Sequence, residues 1–245
     1  LENAFVVYGY NSQRFENCKG GHYSFQHATS GTFINCIGGN YSFGYGSDIE
    51  VSGTFMKCTA GSYSFGAGVS GTTSIASGTF IDCVGGDGCF GSAEYGTASG
   101  TFINCEGSSS CFGSGNSLYP SYCLASGTFT DCRAGYNSFG GSATGIFTRC
   151  TSGGSSFAMC SIPYDEWGGG GGPSGTAANG TFTDCTALEN SFGNDTNNGV
   201  FKNCKADYNS FGGDGGAQGT FENCTAGERS FGFYSIRHIQ KLCSR

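Results

Sequence analysis

The sequence predicts an all-β fold, a single-stranded parallel β-helix (β-solenoid) of about ten coils, and three observations support this prediction. A motif of the form GTFxNCxxGxxSFG, clearest at 31–44, occurs ten times in the 245 residues. Every copy holds two phenylalanines ten residues apart, although successive copies are separated by 18 to 35 residues. Each copy also opens on an alternating triplet such as Thr32-Phe33-Ile34, which is typical of a strand. A constant unit joined by variable connectors indicates a solenoid.

Each part of the motif has a predicted place in the coil. Phe33 is expected to face inward, and its neighbours in the triplet outward. The next residue is Asn or Asp in eight copies, with Lys57 and Arg149 in the other two, and Asn and Asp tolerate the left-handed conformation of a sharp corner. A small residue two places after the cysteine predicts a tight interior. The final Ser-Phe or Cys-Phe is interpreted as the end of a second strand.

Stacking of the coils is expected to place equivalent residues above one another. At about 4.8 Å per coil, the rod would be roughly 45 to 50 Å long. The stack would contain two phenylalanine ladders, a cysteine ladder and a serine ladder, with phenylalanine rings in the offset-stacked range. We expect right-handed coiling.

A single elongated domain is predicted. The solenoid would cover 1–232, with a partial first coil at 1–5, which matches 188–192, and with full coils from 14 to 232. Because the chain begins within a repeat, we expect residue 1 to continue a coil whose first half lies elsewhere. Residues 66–77 are interpreted as a plain loop. Residues 233–245 are interpreted as a C-terminal cap or tail, either a short helix or an irregular cap, because Ile236, Ile239 and Leu242 follow helix-like intervals.

Composition argues against several partners. The net charge of −7 gives no basic footprint, so no nucleic-acid partner is expected. No apolar run approaches the length of a membrane span. Histidine is scarce and CxxC pairs are absent, so neither a metal nor another cofactor is expected.

The fifteen cysteines allow two interpretations. Buried thiols in a ladder pack as small apolar groups without oxidation. Neighbouring coils would also permit disulfides. Cys89 and Cys111 occupy the serine position in consecutive coils, and Cys123 and Cys160 lie in long connectors, so these four are the candidates for disulfides.

Two long connectors are candidate recognition loops, because loops on rigid scaffolds often carry function. The connector 113–126 holds Tyr119 and Tyr122. The connector 158–179 holds an aromatic and acidic cluster, Tyr164, Asp165, Glu166 and Trp167. The alternative is that they are decoration or a lid on the edge of the coils.

The outward side chains of the first strand form a second candidate surface. Its threonines are Thr32, Thr54, Thr79, Thr101, Thr128, Thr130, Thr148, Thr181 and Thr183. This uncharged array resembles the Thr-x-Thr faces of solenoid antifreeze proteins, which implies ice binding. It departs from them in having Ile or Met at many second positions, and Lys202 and Glu222 at the far end. Lateral packing between molecules and simple β-propensity are the alternatives.

An enzyme is the third possibility. A β-helix with Asn at its corners resembles the pectate-lyase-like superfamily, which implies polysaccharide cleavage. The corner acids Asp82, Asp131 and Asp184 recur in every second coil, about 9.6 Å apart, at the upper edge for an inverting pair. Turn formation explains them more simply. No catalytic residue is therefore predicted, and the chain is expected not to be an enzyme.

A structural role is the preferred prediction. The glycine-rich repeats resemble those of phage and viral fibres and of bacterial surface adhesins. This resemblance implies a rigid fibre, shaft or surface filament that displays loops for adhesion or assembly. The expected partners are further copies, other subunits of a fibre or virion, and a surface glycan or receptor. The expected location is extracellular, cell-surface or virion-associated.

Overall fold

The chain forms a parallel β-solenoid in which each repeat adds one strand to a long sheet. The computed structural model describes residues 13–27, 29–69, 71–114, 123–158, 177–193, 197–212, 216–231, 238–239 and 243–244. Within these ranges every regular element is a strand, and the strands are numbered β1 to β20 in chain order. The predicted all-β, parallel β-solenoid fold is confirmed, and the right-handed coiling stays a prediction.

The main sheet has eleven strands, and neighbouring strands are parallel. Every repeat contributes the triplet that contains its first phenylalanine. In stacking order the strands are β1 (Arg14–Glu16), β2 (Thr32–Ile34), β5 (Thr54–Met56), β8 (Thr79–Ile81), β10 (Thr101–Ile103), β12 (Thr128–Thr130), β14 (Ile146–Thr148), β15 (Thr181–Thr183), β16 (Val200–Lys202), β17 (Thr220–Glu222) and β19 (His238–Ile239).

The register of the main sheet places each first phenylalanine on the next. Phe102 pairs with Phe80 on one side and with Phe129 on the other. Consecutive rings in each of the two phenylalanine ladders have centroids 4.6 to 5.1 Å apart and interplanar angles of at most 8°. The two ladders meet edge to face, as Phe102 and Phe112 do at 5.5 Å. Stacked and edge-to-face contacts are both favourable ring geometries, so the ladders form a continuous core.

The predicted corner after the main strand is confirmed. The residue there has φ between +50° and +55° in all ten repeats, including Lys57 and Arg149. Its N–H still donates to the next coil, as Asn35 N does to Met56 O at 2.9 Å. The corner therefore turns the chain without interrupting the hydrogen bonding between coils.

The predicted second strand is wrong in its extent. One residue directly after each cysteine bridges to the next coil, as Ile37 does to Thr59. The closing Ser-Phe lies in a turn instead, and all ten closing phenylalanines have φ between +52° and +63°. That conformation costs an L-residue roughly 1–2 kcal/mol. Burial of the closing ring offsets the cost, because a fully buried phenylalanine contributes roughly 1.5–3 kcal/mol.

The connectors carry further strands, so the interpretation of 66–77 as a plain loop is wrong. Five connector strands form a second parallel sheet: β4 (Ile49–Val51), β7 (Thr73–Ala76), β9 (Tyr95–Ala98), β11 (Leu124–Ala125) and β13 (Ser142–Ala143). A smaller pair joins β3 (Tyr45–Gly46) to β6 (Ala67–Gly68). Local composition hid these strands, because their hydrogen-bond partners lie in neighbouring coils and their Gly, Ala and Ser residues have low strand propensity.

The described part of the C-terminal segment continues the stack. Strand β19 pairs in parallel with β17, and β20 (Cys243–Ser244) pairs in parallel with β18 (Thr225–Ala226). These residues do not form the capping helix that the spacing suggested. Pairing with the last strand of the repeats occupies hydrogen-bonding groups that a helix would leave exposed at the sheet edge. The predicted partial coil at 1–5 lies outside the described residues.

Candidate functional site

One candidate surface is the outward side of seven consecutive main-sheet strands, β2, β5, β8, β10, β12, β14 and β15, called here the Thr/Ile face. In each triplet the central phenylalanine is buried and the two flanking side chains are half-buried or exposed. Because Thr101 pairs with Thr79 and Thr128, the outward side chains form straight columns. All nine threonines predicted for this surface lie on it: Thr32, Thr54, Thr79, Thr101, Thr128, Thr130, Thr148, Thr181 and Thr183.

Charged side chains flank the Thr/Ile face at both ends. Arg14 and Glu16 form an ion pair on β1. Lys202 and Glu222 form another between β16 and β17, with Nζ to Oε1 at 3.3 Å. The seven strands between them present only threonine, isoleucine and methionine to the outside. The face is therefore an uncharged strip about 30 Å long, given the spacing between strands.

A ladder of polar side chains runs along the corner next to this face. Asn35 Nδ2 donates to Asn17 Oδ1 at 2.7 Å, and Asn223 Nδ2 donates to Asn203 Oδ1 at 3.3 Å. Each donation joins one coil to the preceding one. The corner residues thus combine a left-handed backbone with a hydrogen bond between coils.

The three corner acids considered for catalysis belong to this ladder. Asp82 accepts from Asn104 Nδ2 at 2.8 Å, and Asp184 accepts from Asn203 Nδ2 at 2.8 Å. Arg149 binds both oxygens of Asp131, at 2.6 and 2.7 Å, and this contact lowers the pKa of the carboxyl. Each acid therefore serves as an acceptor in the ladder.

One shallow hollow combines two of these acids with other polar groups. It has a volume of about 210 Å³ and includes Asp82, Glu106, Asp131 and Arg133 in its lining. A general acid and a base need different environments to hold different protonation states. Here Arg149 lowers the pKa of Asp131, which disfavours the protonated form that a general acid requires.

The cysteine ladder is a row of free thiols facing the core. The Sγ atoms of nine of these cysteines, from Cys36 to Cys224, each donate to a phenylalanine carbonyl of the preceding coil, as Cys105 does to Phe80 O at 3.3 Å. Burial raises the pKa of the Cys105 thiol well above its usual range. The neighbouring Cys185 thiol raises the pKa of Cys204 to about 12. Cys105 and Cys204 are therefore protonated at neutral pH.

Two of the cysteines considered for disulfides stand in for serine. At the serine position of the repeat, the side chain accepts a hydrogen bond from a backbone N–H of the preceding coil. Ser64 Oγ, for example, accepts from Ser42 N at 3.0 Å. Cys89 Sγ accepts from Ser64 N at 3.4 Å, and Cys111 Sγ accepts from Cys89 N at 3.3 Å. Cys89, Cys111 and Cys123 are free thiols in the structure. Cys160 lies outside the described residues.

A stack of tyrosines on another side of the solenoid was not anticipated. Tyr23, Tyr41 and Tyr63 each lie five residues after the repeat cysteine, with φ between +56° and +61°. Their ring centroids are 4.9 Å apart for the first pair and 5.6 Å for the second. Tyr45 packs against Tyr41 at 4.7 Å, with its ring tilted by 59°. Tyr23 and Tyr63 are each 41% exposed.

The tyrosine stack opens into a cleft of about 590 Å³, called here the tyrosine cleft. Its lining is Tyr41, Tyr45, Tyr63, Gly68, Val69, Asp87, Gly88, Ser92, Ala93, Glu94, Ser109 and Ser110. The pattern shared by all ten repeats does not reveal this site, because only three repeats have tyrosine at this position. Tyrosine at the fifth residue after the cysteine in the first three repeats, replaced by glycine in the fourth, was the available signal.

The predicted recognition loops are not described by the structure. Tyr119, Tyr122, Tyr164, Asp165, Glu166 and Trp167 all lie outside the described residues. Within the described ranges, no group of His, Cys, Asp and Glu is arranged to hold a metal ion. The same ranges contain no helix that could cross a bilayer.

Comparison with known proteins gave no match for this chain among family models, curated proteins or solved structures. The resemblances to fibre, adhesin, antifreeze and pectate-lyase-like proteins stay predictions.

Proposed function

We propose that this protein is a non-enzymatic structural solenoid that associates side by side through its Thr/Ile face. In this role it is a rigid component of a fibre, shaft or surface filament. The observation that carries the proposal is the uncharged, in-register face that spans seven consecutive strands between two charged ends. An extracellular, cell-surface or virion-associated location belongs to the same proposal, with loops displayed toward a glycan or receptor.

The interior supports a rod that resists bending. Phenylalanine rings stack without a break from Phe15 to Phe221 in one ladder and from Phe25 to Phe231 in the other. Bending the rod would have to open these contacts on one side, and closely packed interiors transmit strain rather than absorb it.

The Thr/Ile face suits contact with a second flat surface. Ile103 and Ile146 are 38% and 53% exposed, so the strip carries apolar area that a partner could cover. The absence of charge between the two ends removes the repulsion and desolvation cost that charges would bring to a dry contact. The ion pairs at the ends limit the length of the strip and would favour one register between molecules.

The proposal is tested by comparing two matched lysine substitutions. Thr101→Lys places a charge in the middle of the face, whereas Thr186→Lys places the same charge on an exposed bridging residue beyond the corner. We expect the wild type and Thr186→Lys to form lateral assemblies in sedimentation and electron microscopy, and Thr101→Lys to remain monomeric. Wild-type protein that stays monomeric at every concentration would contradict the proposal.

Ice binding is a second candidate function for the same face. The columns of outward threonines, at regular spacing along and across the strands, favour it. Thermal hysteresis in the wild type that is lost in Thr101→Lys, and kept in Thr186→Lys, would support this function. Lateral assembly without thermal hysteresis would contradict ice binding and support the structural proposal.

A further inference from the structure

We propose that the tyrosine cleft binds a small organic ammonium ion, with the positive group held between the tyrosine rings and two carboxylates. This site is separate from the Thr/Ile face.

The cleft exists because the tyrosine stack ends. In the fourth repeat the position of the next ring is occupied by Gly88, which has a φ of +63°, and in the fifth by Ser110, with a φ of +56°. The backbone therefore keeps the conformation that presents tyrosine in the first three repeats, while the ring itself is missing. A Cβ at Gly88 would lie 2.9 Å from Cδ1 of Tyr63, so the Tyr63 ring leans into the space that the missing side chain leaves.

The lining of the cleft is suited to a cation. Asp87 and Glu94 contribute carboxylates, and no Lys, Arg or His is found among the described residues of the lining. Ser109 N–H donates to Asp87 Oδ1 at 3.0 Å, and Gly71 N–H donates to Glu94 Oε2 at 2.6 Å. These backbone contacts orient both carboxylates. An anionic ligand would meet two negative charges at this lining.

The aromatic wall favours an organic cation over a metal ion. Tyrosine rings attract ammonium groups through their negative faces, and proteins commonly recognise quaternary ammonium ligands with aromatic side chains placed around the charge. Tyr63 is the last ring of the stack, and it lines the cleft together with the tilted ring of Tyr45. A contact between a cation and a tyrosine ring occurs elsewhere in the protein, where the Arg229 guanidinium lies 5.7 Å from the centre of the Tyr208 ring. A volume of about 590 Å³ is also within the range of small-molecule sites.

The test compares choline with 3,3-dimethyl-1-butanol, which has the same shape without the charge. Binding is followed on the full chain by calorimetry and by the NMR signals of the tyrosine rings. We expect choline to bind with a Kd of about 1 mM or tighter, and the neutral alcohol to bind at least about tenfold more weakly. Equal binding of the two molecules, or no binding of choline, would overturn the proposal. Binding of a neutral oligosaccharide without binding of choline would also overturn the proposal.

Two variants test the cleft itself. Asp87→Asn keeps an acceptor for Ser109 N–H but removes the charge, and we expect it to weaken choline binding about tenfold. Gly88→Tyr would add the missing ring, since tyrosine already adopts this backbone conformation in three repeats, and filling the cleft should abolish binding. Glu106→Gln removes an exposed carboxylate outside the cleft and should bind choline as the wild type does.

Thermal unfolding of each variant separates loss of the site from loss of the fold. Asp87→Asn is expected to unfold close to the wild type, and Gly88→Tyr cooperatively but at a lower temperature, because its Cβ must displace the Tyr63 ring. A folded Gly88→Tyr variant that binds choline as tightly as the wild type would contradict the proposed location.

Discussion

Aromatic rings stack along this solenoid both inside, in two phenylalanine ladders, and outside, in a tyrosine stack, and the inner and outer stacks obey different rules. Ring centroids are 5.0 Å apart for Phe80 and Phe102 in the core, and 4.9 Å apart for Tyr23 and Tyr41 on the surface. The spacing is similar because the distance between coils sets it. The inner ladders contain a phenylalanine in every repeat, whereas the outer stack ends at Gly88. Burial makes a gap costly inside, and solvent fills a gap outside.

The largest difference is expected when one ring is removed from an inner ladder or from the outer stack. Phe102→Ala should lower the free energy of unfolding by about 3–5 kcal/mol, because it opens a cavity among rings that are fully buried. Tyr63→Ala should lower it by about 0.5–1.5 kcal/mol, because Tyr63 is the last ring of the outer stack and pairs with Tyr41 at 5.6 Å. Urea denaturation measures both. Equal effects would show that burial does not distinguish the stacks.

A smaller effect is expected where the coils touch through glycine. A Cβ at Gly100 would lie 2.1 Å from the carbonyl oxygen of Gly78 in the preceding coil, and backbone cannot move aside as a side chain can. Gly100→Ala should therefore destabilise the protein by roughly 1–3 kcal/mol.

Gly46→Ala is the matched control for the glycine experiment. Its added methyl group would meet nothing closer than Ile49 Cδ1 at 3.9 Å. We expect its unfolding midpoint in urea to equal or exceed that of the wild type, because alanine reduces the entropy of the unfolded chain. A Gly100→Ala variant as stable as Gly46→Ala would contradict the close contact between coils.

The buried thiols predict a stability that depends on pH. The pKa of Cys204 is raised to about 12 in the folded state, whereas the pKa of a thiol in the unfolded chain is about 8.5. The unfolded chain therefore loses this proton first, so the stabilisation is complete below about pH 8.5 and is lost as the pH rises toward 12. Urea midpoints from pH 6 to 10 should be level at first and then fall. Cys204→Ala should show a shallower fall, and an identical slope would contradict the assignment.

The smallest expected effect concerns a corner where lysine takes the place of asparagine. Lys57 has a φ of +53°, and asparagine accepts this conformation more readily. Lys57→Asn should raise the free energy of unfolding by about 0.5–1 kcal/mol. Thermal unfolding measures the change, and a decrease in stability would show that Lys57 makes a contribution beyond its backbone conformation.

The parts of the fold that the sequence predicted are those that repeat in every coil. The constant separation of Phe33 from Phe43, and of its counterparts, required a regular stack. At Asn35 and the seven other corners with Asn or Asp, the residue type itself predicted the left-handed conformation. At these positions the local residue preferences and the pairing between coils favour the same conformation, so the prediction from sequence was confirmed.

The missed parts have a common cause, which is that contacts between coils override local preference. Phenylalanine rarely adopts a positive φ, so nothing in Phe43 itself indicated a turn. Thr73–Ala76 becomes a strand through its partners in neighbouring coils. The tyrosine cleft depends on what is absent at Gly88, and an absence in one repeat does not show in a pattern shared by ten.

The stacking of aromatic rings along one axis is the central claim, and NMR contacts between rings test it most directly. In a deuterated protein with protonated phenylalanine rings, the account predicts that Phe55 contacts Phe33 and Phe80 in its own ladder and Phe65 across the core, where ring centroids lie 5.0, 5.1 and 5.7 Å away. Contacts between rings of repeats that are not neighbours, or no contact between Phe55 and Phe80, would contradict it.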